Sequence, residues 1–273
     1  MKFTKAFSFS FLAILCVFTS CQDAPQEQKT TVEAKPTFQN KGHELVYNLT
    51  QKVGDYSKLA ALKDVVYTYS YKMPDGSEDI STEKYIFDGE LSYARYDKHE
   101  RTLADYEGTI EQGYDGTNFW FKHNGEKKDD VEAVERAKFS RKTNFYWFAM
   151  LQKLLDPGVA YEHLEEVKID ENAYDVVNVT FKSDQPTDIY RLFINQKTGL
   201  MDQFLFTVVD FNVVDTPLLM KVDYEAINGI NIPSKRKYTR STWEAEVPDD
   251  VKWINVTWSD IKFDNGLTQA DFE

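Results

Sequence analysis

Alternating large and small side chains recur along most of the chain and predict a β-rich protein. The clearest segment is 65–71, where Val65, Tyr67, Tyr69 and Tyr71 alternate with smaller residues. Further strands are predicted around two Asp-Gly turns, at Gly89 and Gly116, and in a series of segments after residue 158: 159–169, 174–181, 188–194, 201–209, 218–224, 232–239 and 251–263. The total of about twelve strands, joined by short turns, indicates mainly antiparallel pairing.

Two segments have the periodicity of helices. Residues 43–53 carry a one-sided apolar stripe that predicts a short amphipathic helix. Residues 141–156 carry large apolar side chains on nearly every side, so this second helix must be covered on more than one face: Phe145, Tyr146, Trp147, Phe148, Met150, Leu151, Leu154 and Leu155. The charged segment 127–138 before it is interpreted as a solvated helix or a flexible loop.

One apolar helix among many strands predicts the fold class. We expect a mainly β domain with few helices, spanning 43–273, in which a large curved antiparallel sheet forms a half-barrel around the apolar helix. A β-sandwich is the alternative. Because strands and helices do not alternate, parallel α/β enzyme folds are disfavoured.

The first 21 residues have the pattern of an export signal. Lys2 and Lys5 precede an uncharged run over 6–17, and small residues lead to Cys21. The run is shorter than the roughly 20 apolar residues that span a bilayer, so residues 1–20 are predicted to be a signal peptide. The stretch resembles the lipobox of bacterial lipoproteins, which implies acylation of Cys21 and anchoring of the protein to a membrane.

Residues 22–42 contain almost no apolar side chains, and with Cys21 they are predicted to form a lipidated, flexible tether. The formal net charge is -13, which disfavours nucleic acid as a partner. The chain has two cysteines, Cys16 and Cys21, so no disulfide is expected after the signal is removed.

Motifs of catalysis are missing from the sequence. Its four histidines have no metal-ligand spacing, and neither a Gly-x-Ser-x-Gly elbow nor a phosphate-binding glycine loop occurs. We therefore predict a protein that is not an enzyme and that uses no cofactor and no metal. The basic run 235–237, with Arg240, has two interpretations: contact with an anionic head group, or an exposed strand edge whose charges prevent aggregation, which is favoured.

Two local motifs carry a family resemblance. Residues 114–120 read YDGTNFW and residues 265–272 read NGLTQADF. With the lipobox, the first helix and the covering helix, the chain resembles uncharacterised exported lipoproteins of Bacteroidota. These are similar to the lipoprotein-carrier and lipoprotein-receptor superfamily of the Gram-negative envelope, whose half-barrel holds acyl chains between sheet and helices. The resemblance implies the cell envelope, and Gln22 and Asp23 favour the outer membrane.

Two hypotheses follow for the domain. In the first, a membrane-anchored, non-catalytic lipoprotein binds a lipid or acyl chain in a cleft between helix and sheet. Its predicted lining is Trp120, Phe145, Phe148, Met150, Leu151, Phe204 and Phe206. In the second, the helix plugs the sheet completely, and the anchored domain binds an envelope protein through an outer face around Tyr67, Tyr69 and Tyr71.

Overall fold

A computed structural model describes residues 36–273 of the chain. The predicted signal peptide, the acylation site at Cys21 and residues 22–35 of the predicted tether therefore lie outside the described residues. Residues Phe38–Glu273 form one compact unit.

Within residues 36–273, fourteen strands pair antiparallel in one sheet, which confirms the predicted fold class and shows that the alternative of a sandwich is wrong. The strands are β1 (Asp64–Lys72), β2 (Glu78–Ile86), β3 (Leu91–His99), β4 (Ile110–Tyr114), β5 (Phe119–His123), β6 (Glu126–Lys127), β7 (Val159–His163), β8 (Val167–Ile169), β9 (Asn172–Phe181), β10 (Tyr190–Asn195), β11 (Met201–Val208), β12 (Val213–Ile227), β13 (Ile230–Arg240) and β14 (Ile254–Phe263). Their spatial order is β6-β5-β4-β3-β2-β1-β14-β13-β12-β11-β10-β9-β7, and β8 pairs with β9.

The sheet is a meander whose first and last strands meet in the middle. β1 pairs with β14, so the two halves of the chain build the two halves of the sheet. The helix α3 (Val131–Lys153) connects β6 at one edge to β7 at the other. Twelve inter-strand steps of about 4.8 Å give a path of about 58 Å, whereas a 23-residue helix is only about 35 Å long. The sheet therefore has to curve around the helix.

α3 is longer than the sequence predicts. It begins after Asp130, whose side chain accepts a hydrogen bond from the Ala133 amide, and it includes most of the charged segment 127–138. Ala133 and Ala137 are buried on this first half, and Ala133 packs against β3, β4 and β5. Segment 127–138, for which the sequence predicts either a solvated helix or a loop, is therefore largely part of a packed helix. Its small side chains allow close contact with the sheet.

Two short helices precede the sheet. α1 (Lys41–Val53) begins two residues before the predicted start at His43, because Asn40 caps it by accepting from the His43 amide at 2.9 Å. Its apolar stripe packs under α3 and against β7 and β9, as its amphipathic pattern predicts. α2 (Tyr56–Ala61), capped by Asp55, is not predicted from the sequence. No helix between residues 36 and 273 is both long enough and apolar enough to span a membrane.

Both faces of the sheet are buried over much of its area. The helices cover the inner, concave face, where Phe204 and Phe206 point. Leu205 points to the outer face, where it packs in a separate cluster against residues from the loop between β13 and β14, including Trp243 and Trp253. Large apolar side chains on both sides of β11, at positions 204, 205 and 206, predict this double burial, and the structure confirms it.

Candidate functional site

A cavity of about 610 Å³ lies between α3 and the concave face of the sheet. The roof is a stripe of α3 at positions 136, 140, 143 and 147, and one side wall is formed by β11 and β12. β1, β13 and β14 form the floor. The most prominent lining side chains are Tyr69, Tyr71, Tyr96, Phe139, Tyr146, Trp147, Tyr190, Phe206, Met220, Arg236, Tyr238 and Trp258.

The cavity exists because the two halves of α3 pack differently. From Phe148 onward the helix is surrounded by apolar side chains of α1 and the sheet, which leave little space. Earlier in the helix, the residues that face the cavity include the small Ser140 and Thr143, which do not fill the space beneath them. The helix therefore plugs one end of the half-barrel and roofs a cavity at the other.

Aromatic rings form most of the apolar wall. The indole of Trp147 lies 5.3 Å from the ring of Phe206 and 5.9 Å from that of Phe204, measured between centroids. The ring of Tyr190 contacts both Tyr146 and Trp147 at 6.5 Å. Flat aromatic surfaces with a few polar groups among them are typical of sites that bind apolar small molecules.

A buried ion pair fixes the roof of the cavity over the sheet. Arg141 of α3 binds Glu83 of β2 through both terminal nitrogens, at 2.5 and 3.2 Å, and neither side chain is exposed. Tyr85 and Ser81 also donate to this carboxylate, at 2.9 and 3.0 Å. Burial alone would lower the pKa of Arg141, but the adjacent Glu83 carboxylate raises it well above the ordinary value. The pair sets the rotation of α3 and hence which helix residues line the cavity.

Arg236 is the second buried arginine, and it lies on the cavity floor. Its exposed fraction is 7 %, and it makes no ion pair with any residue in 36–273. The guanidinium carbon lies 3.8 Å from the centroid of the Trp258 ring, and burial lowers the pKa of Arg236. The Nε atoms of Arg236 and Trp258 are buried without a hydrogen-bond partner among the described residues.

Tyrosines surround this guanidinium. Tyr69 lies on the same floor, and the hydroxyls of Tyr71 and Tyr238 hydrogen-bond to each other across it. Burial raises the pKa of Tyr69 and of Tyr238 well above the ordinary value, and it raises the pKa of Tyr96 to about 12. These phenols stay neutral at pH 7, so they supply hydrogen bonds but no negative charge.

The mouth of the cavity is partly apolar. Phe211, in a short turn between β11 and β12, is 58 % exposed, and its ring packs edge-on against Phe139 of α3 at 5.4 Å. On the other side Arg101 stacks on Tyr71 at 3.8 Å and pairs with the buried carboxylate of Asp79 at 3.2 Å. The entrance therefore has one apolar side and one charged side.

Most residues predicted to line a cleft belong instead to the plugged end. Of the seven, Phe206 alone faces the cavity. Phe145 and Phe148 pack against Tyr85 and Trp258, at 5.3 and 5.2 Å between ring centroids. The other buried members are Met150 and Leu151, in the cluster around α1, and Phe204, behind Trp147.

Trp120 is a clear correction, because it lies on the outer face. Its neighbour Phe121 packs with Ala133 of α3, and successive side chains of a strand point to opposite faces. The indole nitrogen donates to the carbonyl of Phe272 at 2.7 Å, so the C-terminal segment covers Trp120. This tryptophan belongs to the closure of the outer face and cannot contact a ligand in the cavity.

The proposed docking face around three tyrosines is also wrong. Tyr67 is buried in the core beside Phe148, while Tyr69 and Tyr71 line the cavity. Large apolar side chains that are exposed in the described region are Val131, Phe211 and Val214, which do not form an aromatic patch. The interpretation of 235–237 as a strand edge fails too, since β13 is a central strand between β12 and β14.

Most lining residues are not among the seven predicted from the sequence, and Arg236 and Trp147 are two important examples. A signal for Arg236 was present, because Lys235 and Lys237 flank it in a strand and side chains alternate, so two outward lysines place it inward. For Trp147 no signal exists, because a helix that is apolar on nearly every side does not reveal its rotation.

Two carboxylates that line the cavity already accept hydrogen bonds from the protein. The described residues contain no group of three or more His, Cys, Asp or Glu side chains placed to hold a metal ion. The cavity carboxylate of Asp79 is committed to Arg101 and to Thr102, whose hydroxyl donates at 2.8 Å. Asp188 near the mouth accepts from the Val209 amide at 2.8 Å, and burial raises its pKa.

Comparisons with known proteins give a likeness of fold. No family model matches the chain, and no curated protein matches it. A DUF1329 family protein from Desulfovibrio piger is similar in structure, with a TM-score of 0.51 at 16% identity, over 85% of this chain and 95% of that one.

Two other solved structures align over comparable lengths. They are a LolA superfamily protein from Nitrosomonas europaea (TM-score 0.45, 14% identity, 82% of this chain and 97% of that one) and a putative outer membrane lipoprotein-sorting protein domain from Vibrio parahaemolyticus (TM-score 0.49, 10% identity, 85% and 96%). Of these three structures, the DUF1329 protein has a TM-score above 0.5. Its similarity to this chain, at 16% identity, shows a shared fold.

Proposed function

We propose that the protein is a non-catalytic component of the bacterial cell envelope that binds a hydrophobic ligand, a lipid or an acyl chain, in the cavity between α3 and the sheet. The observation that carries this proposal is the cavity itself, about 610 Å³ and walled by aromatic side chains. Its volume is in the range of pockets that enclose small organic ligands, roughly 300 to 1,000 Å³. A fully packed interior would have favoured the interaction module instead.

The fold supports the same proposal. The half-barrel resembles the DUF1329 protein. The covering helix resembles that of the lipoprotein-carrier and lipoprotein-receptor superfamily, and the lipobox resembles that of its receptor-like members. A sheet that curves around a helix can leave an internal apolar space without unpaired backbone groups, because its strands satisfy each other. We therefore propose that the protein is a member of the lipoprotein-carrier and lipoprotein-receptor superfamily.

The anchor is the second part of the proposal. Acylation of Cys21, after removal of residues 1–20, would attach the domain to the outer membrane through a tether. Metabolic labelling with an alkyne fatty acid, followed by membrane fractionation, tests this in the full chain and in Cys21→Ser. We expect label and outer-membrane location in the first and no label in the second. Label in Cys21→Ser would contradict the anchor and leave the cavity proposal unaffected.

Ligand binding is tested by extraction of lipid from the full chain purified from an envelope. Ser140 lines the cavity and Glu135 is exposed on the same helix, so the same large side chain, tryptophan, is placed inside the cavity in one variant and outside it in the other. We expect one lipid class to co-purify with the wild-type chain and with Glu135→Trp, and to be lost from Ser140→Trp. Equal lipid in the two variants, at equal folded yield, would contradict the cavity as the binding site.

A further inference from the structure

The cavity floor carries a positive charge that the protein does not neutralise. Arg236 is 93 % buried, since 7 % of its surface is exposed, and it forms no ion pair within the described part of the chain. The other buried arginine on the inner face, Arg141, has a carboxylate partner at 2.5 Å. Buried charges in proteins are normally paired, because an isolated charge loses its hydration without compensation.

The surroundings of Arg236 explain how the charge is tolerated without being neutralised. The ring of Trp258 lies under the guanidinium at 3.8 Å and contributes a cation-π contact. Tyr69 and Tyr238 stand beside it, but their raised pKa values keep them uncharged at neutral pH. A carboxylate on the same cavity wall, that of Asp79, is already bound by Arg101 and Thr102.

The guanidinium of Arg236 also lacks hydrogen-bond acceptors. It donates to no group in residues 36–273, and its Nε is buried without a partner. Because Arg236 lines the cavity, this unpaired cation is complementary to a ligand with an anionic, oxygen-rich group.

We infer that the ligand is an amphiphile with one anionic terminal group, a carboxylate or a phosphate, which pairs with Arg236 on the cavity floor while its apolar chain extends past Trp147 and Phe206 towards Phe211. This inference rests on the proposed function and specifies the chemical class of ligand and its orientation. The charged end enters first, since Arg236 is buried and Phe211 at the mouth is 58 % exposed.

The orientation follows from the distribution of polar groups. One side of the mouth is apolar, because the rings of Phe139 and Phe211 meet there at 5.4 Å. On the charged side, Arg101 is already paired with Asp79. An acyl chain can lie against the two rings, whereas a charged group placed there would leave Arg236 unpaired. A ligand that carries only a chain fills the apolar wall but leaves Arg236 without a counter-ion, so it binds more weakly.

The test compares palmitate with one ligand that differs in the terminal group and with one that lacks the long chain. Native mass spectrometry of the full chain, solvent-extracted and released from non-ionic detergent micelles, measures binding of palmitate, of hexadecanol and of acetate. We expect palmitate to bind at least tenfold more tightly than hexadecanol, which corresponds to about 1.4 kcal/mol. Acetate is expected to bind at least a hundredfold more weakly than palmitate, because it lacks the chain.

Variants identify the residue responsible. Arg236→Met should bring palmitate down to the affinity of hexadecanol, and Arg236→Lys should retain part of the difference because it keeps the charge. Lys237→Met is the matched control: it removes the same charge from the next residue of β13, which is exposed, and should leave both affinities unchanged.

The outcomes separate this inference from the proposed function. If hexadecanol and palmitate bind equally to the wild-type chain, the anionic group is not recognised and the inference is wrong, while ligand binding stands. If neither binds, the proposed function itself fails. If acetate binds as tightly as palmitate, the floor is a small-anion site, and the amphiphile is excluded. The comparison within the wild-type chain holds even if Arg236→Met does not fold.

Discussion

The guanidinium of Arg141 binds the carboxylate of Glu83 through two hydrogen bonds, of 2.5 and 3.2 Å, in a site where neither side chain is exposed. Glu83 is on β2 and Arg141 is in the middle of α3, so the pair connects the roof of the cavity to the sheet. Asn144, one turn further along the helix, also donates to Glu83 at 3.3 Å. Rotation of α3 about its axis would break these contacts.

Arg141→Met is therefore expected to destabilise the protein by about 3 to 5 kcal/mol, because Glu83 would stay buried without a cation. The double variant with Glu83→Gln should lose less than the single variant, since no charge remains unpaired. Urea unfolding, with the free energy extrapolated to water, measures both. A double variant that is less stable than Arg141→Met would contradict this account of the pair.

Unlike Arg141→Met, Arg236→Met is expected to stabilise the ligand-free protein. Removing an uncompensated buried charge avoids a desolvation cost of several kcal/mol, whereas the lost cation-π contact with Trp258 is worth about 2 kcal/mol. We expect the free energy of unfolding to rise by about 1 kcal/mol. Thermal and urea unfolding of solvent-extracted protein test this, with Lys235→Met, at an exposed position of β13, as a control that should stay within about 0.5 kcal/mol of wild type.

Saturating palmitate should reverse this order. Binding to the folded state stabilises it, by about 2.7 kcal/mol at a ligand concentration of 100 times Kd. The wild-type chain should gain this stabilisation and Arg236→Met should gain less. If Arg236→Met is already less stable than wild type without ligand, the guanidinium has a partner within the protein and the argument from its missing counter-ion does not hold.

Asp64 gives the stability a defined dependence on pH. It accepts hydrogen bonds from the amide and side chain of Asn265, at 2.7 and 2.8 Å, and from the Leu267 amide at 2.9 Å. Burial alone would raise the pKa of Asp64, but these bonds together lower it below the ordinary 3.8. The contribution of Asp64 to the free energy of unfolding is therefore present above its unfolded-state pKa of 3.8 and is lost as the pH falls through the lower pKa of the folded state.

Asp64→Asn should reduce the free energy of unfolding by about 1 to 2 kcal/mol at pH 7, because one charged acceptor is removed from three donors. The difference from wild type should shrink below pH 3.8, as Asp64 becomes protonated in the wild-type protein. Urea unfolding at pH 7, 4 and 3 measures the trend. A constant difference over this range would show that the carboxylate charge has no role.

The C-terminal segment closes the outer face over Trp120. Phe272 is fully buried, and its carbonyl accepts from the indole of Trp120. Phe272→Ala should cost about 3 kcal/mol through the cavity that it leaves. Glu273→Ala, at an exposed position of the same segment, is the control and should cost less than about 0.5 kcal/mol. If Phe272→Ala is equally mild, the segment does not close the face.

Gly113 lies beneath the same indole and tests that packing independently. It pairs with Trp120 across β4 and β5, and a Cβ atom at this position would overlap the Trp120 ring. Gly113→Ala is therefore expected to destabilise the protein by about 1 to 3 kcal/mol, because the ring has to move. Gly116→Ala is not a suitable comparison, since its φ of 92° adds backbone strain. Hydrogen exchange of β4 and β5 amides should increase in Gly113→Ala.

Phe211 at the mouth should control the rate of ligand exchange. Its edge-on contact with Phe139 is worth about 0.5 to 1.5 kcal/mol, so its loss should raise both association and dissociation rates of palmitate by up to about tenfold. Phe211→Ala removes this contact, and Val214→Ala is an exposed control in the adjoining strand. Stopped-flow measurements that show unchanged rates would place the entrance elsewhere.

The sequence by itself determined which segments become strands and which become helices. Alternation in 65–71 predicts β1, and the stripe in 43–53 predicts α1, because a half-buried element repeats its apolar side chains with its own period. The apolar excess of 141–156 predicts a helix enclosed by the sheet, which is the central feature of the fold. Each of these apolar patterns lies within one short segment, because the backbone geometry of a single strand or helix sets the spacing of its side chains.

Tertiary structure alone decided which side chains face the cavity. The rotation of α3 depends on the pairing of Arg141 with Glu83, 58 positions away in the chain. Whether Trp120 is inside or outside depends on the pairing of β4 with β5 and on cover from Phe272. Arg236 reaches the floor because β13 is central, with β14 beside it and β14 paired to β1. A local period shows that two faces differ, but contacts between distant segments decide which face is enclosed.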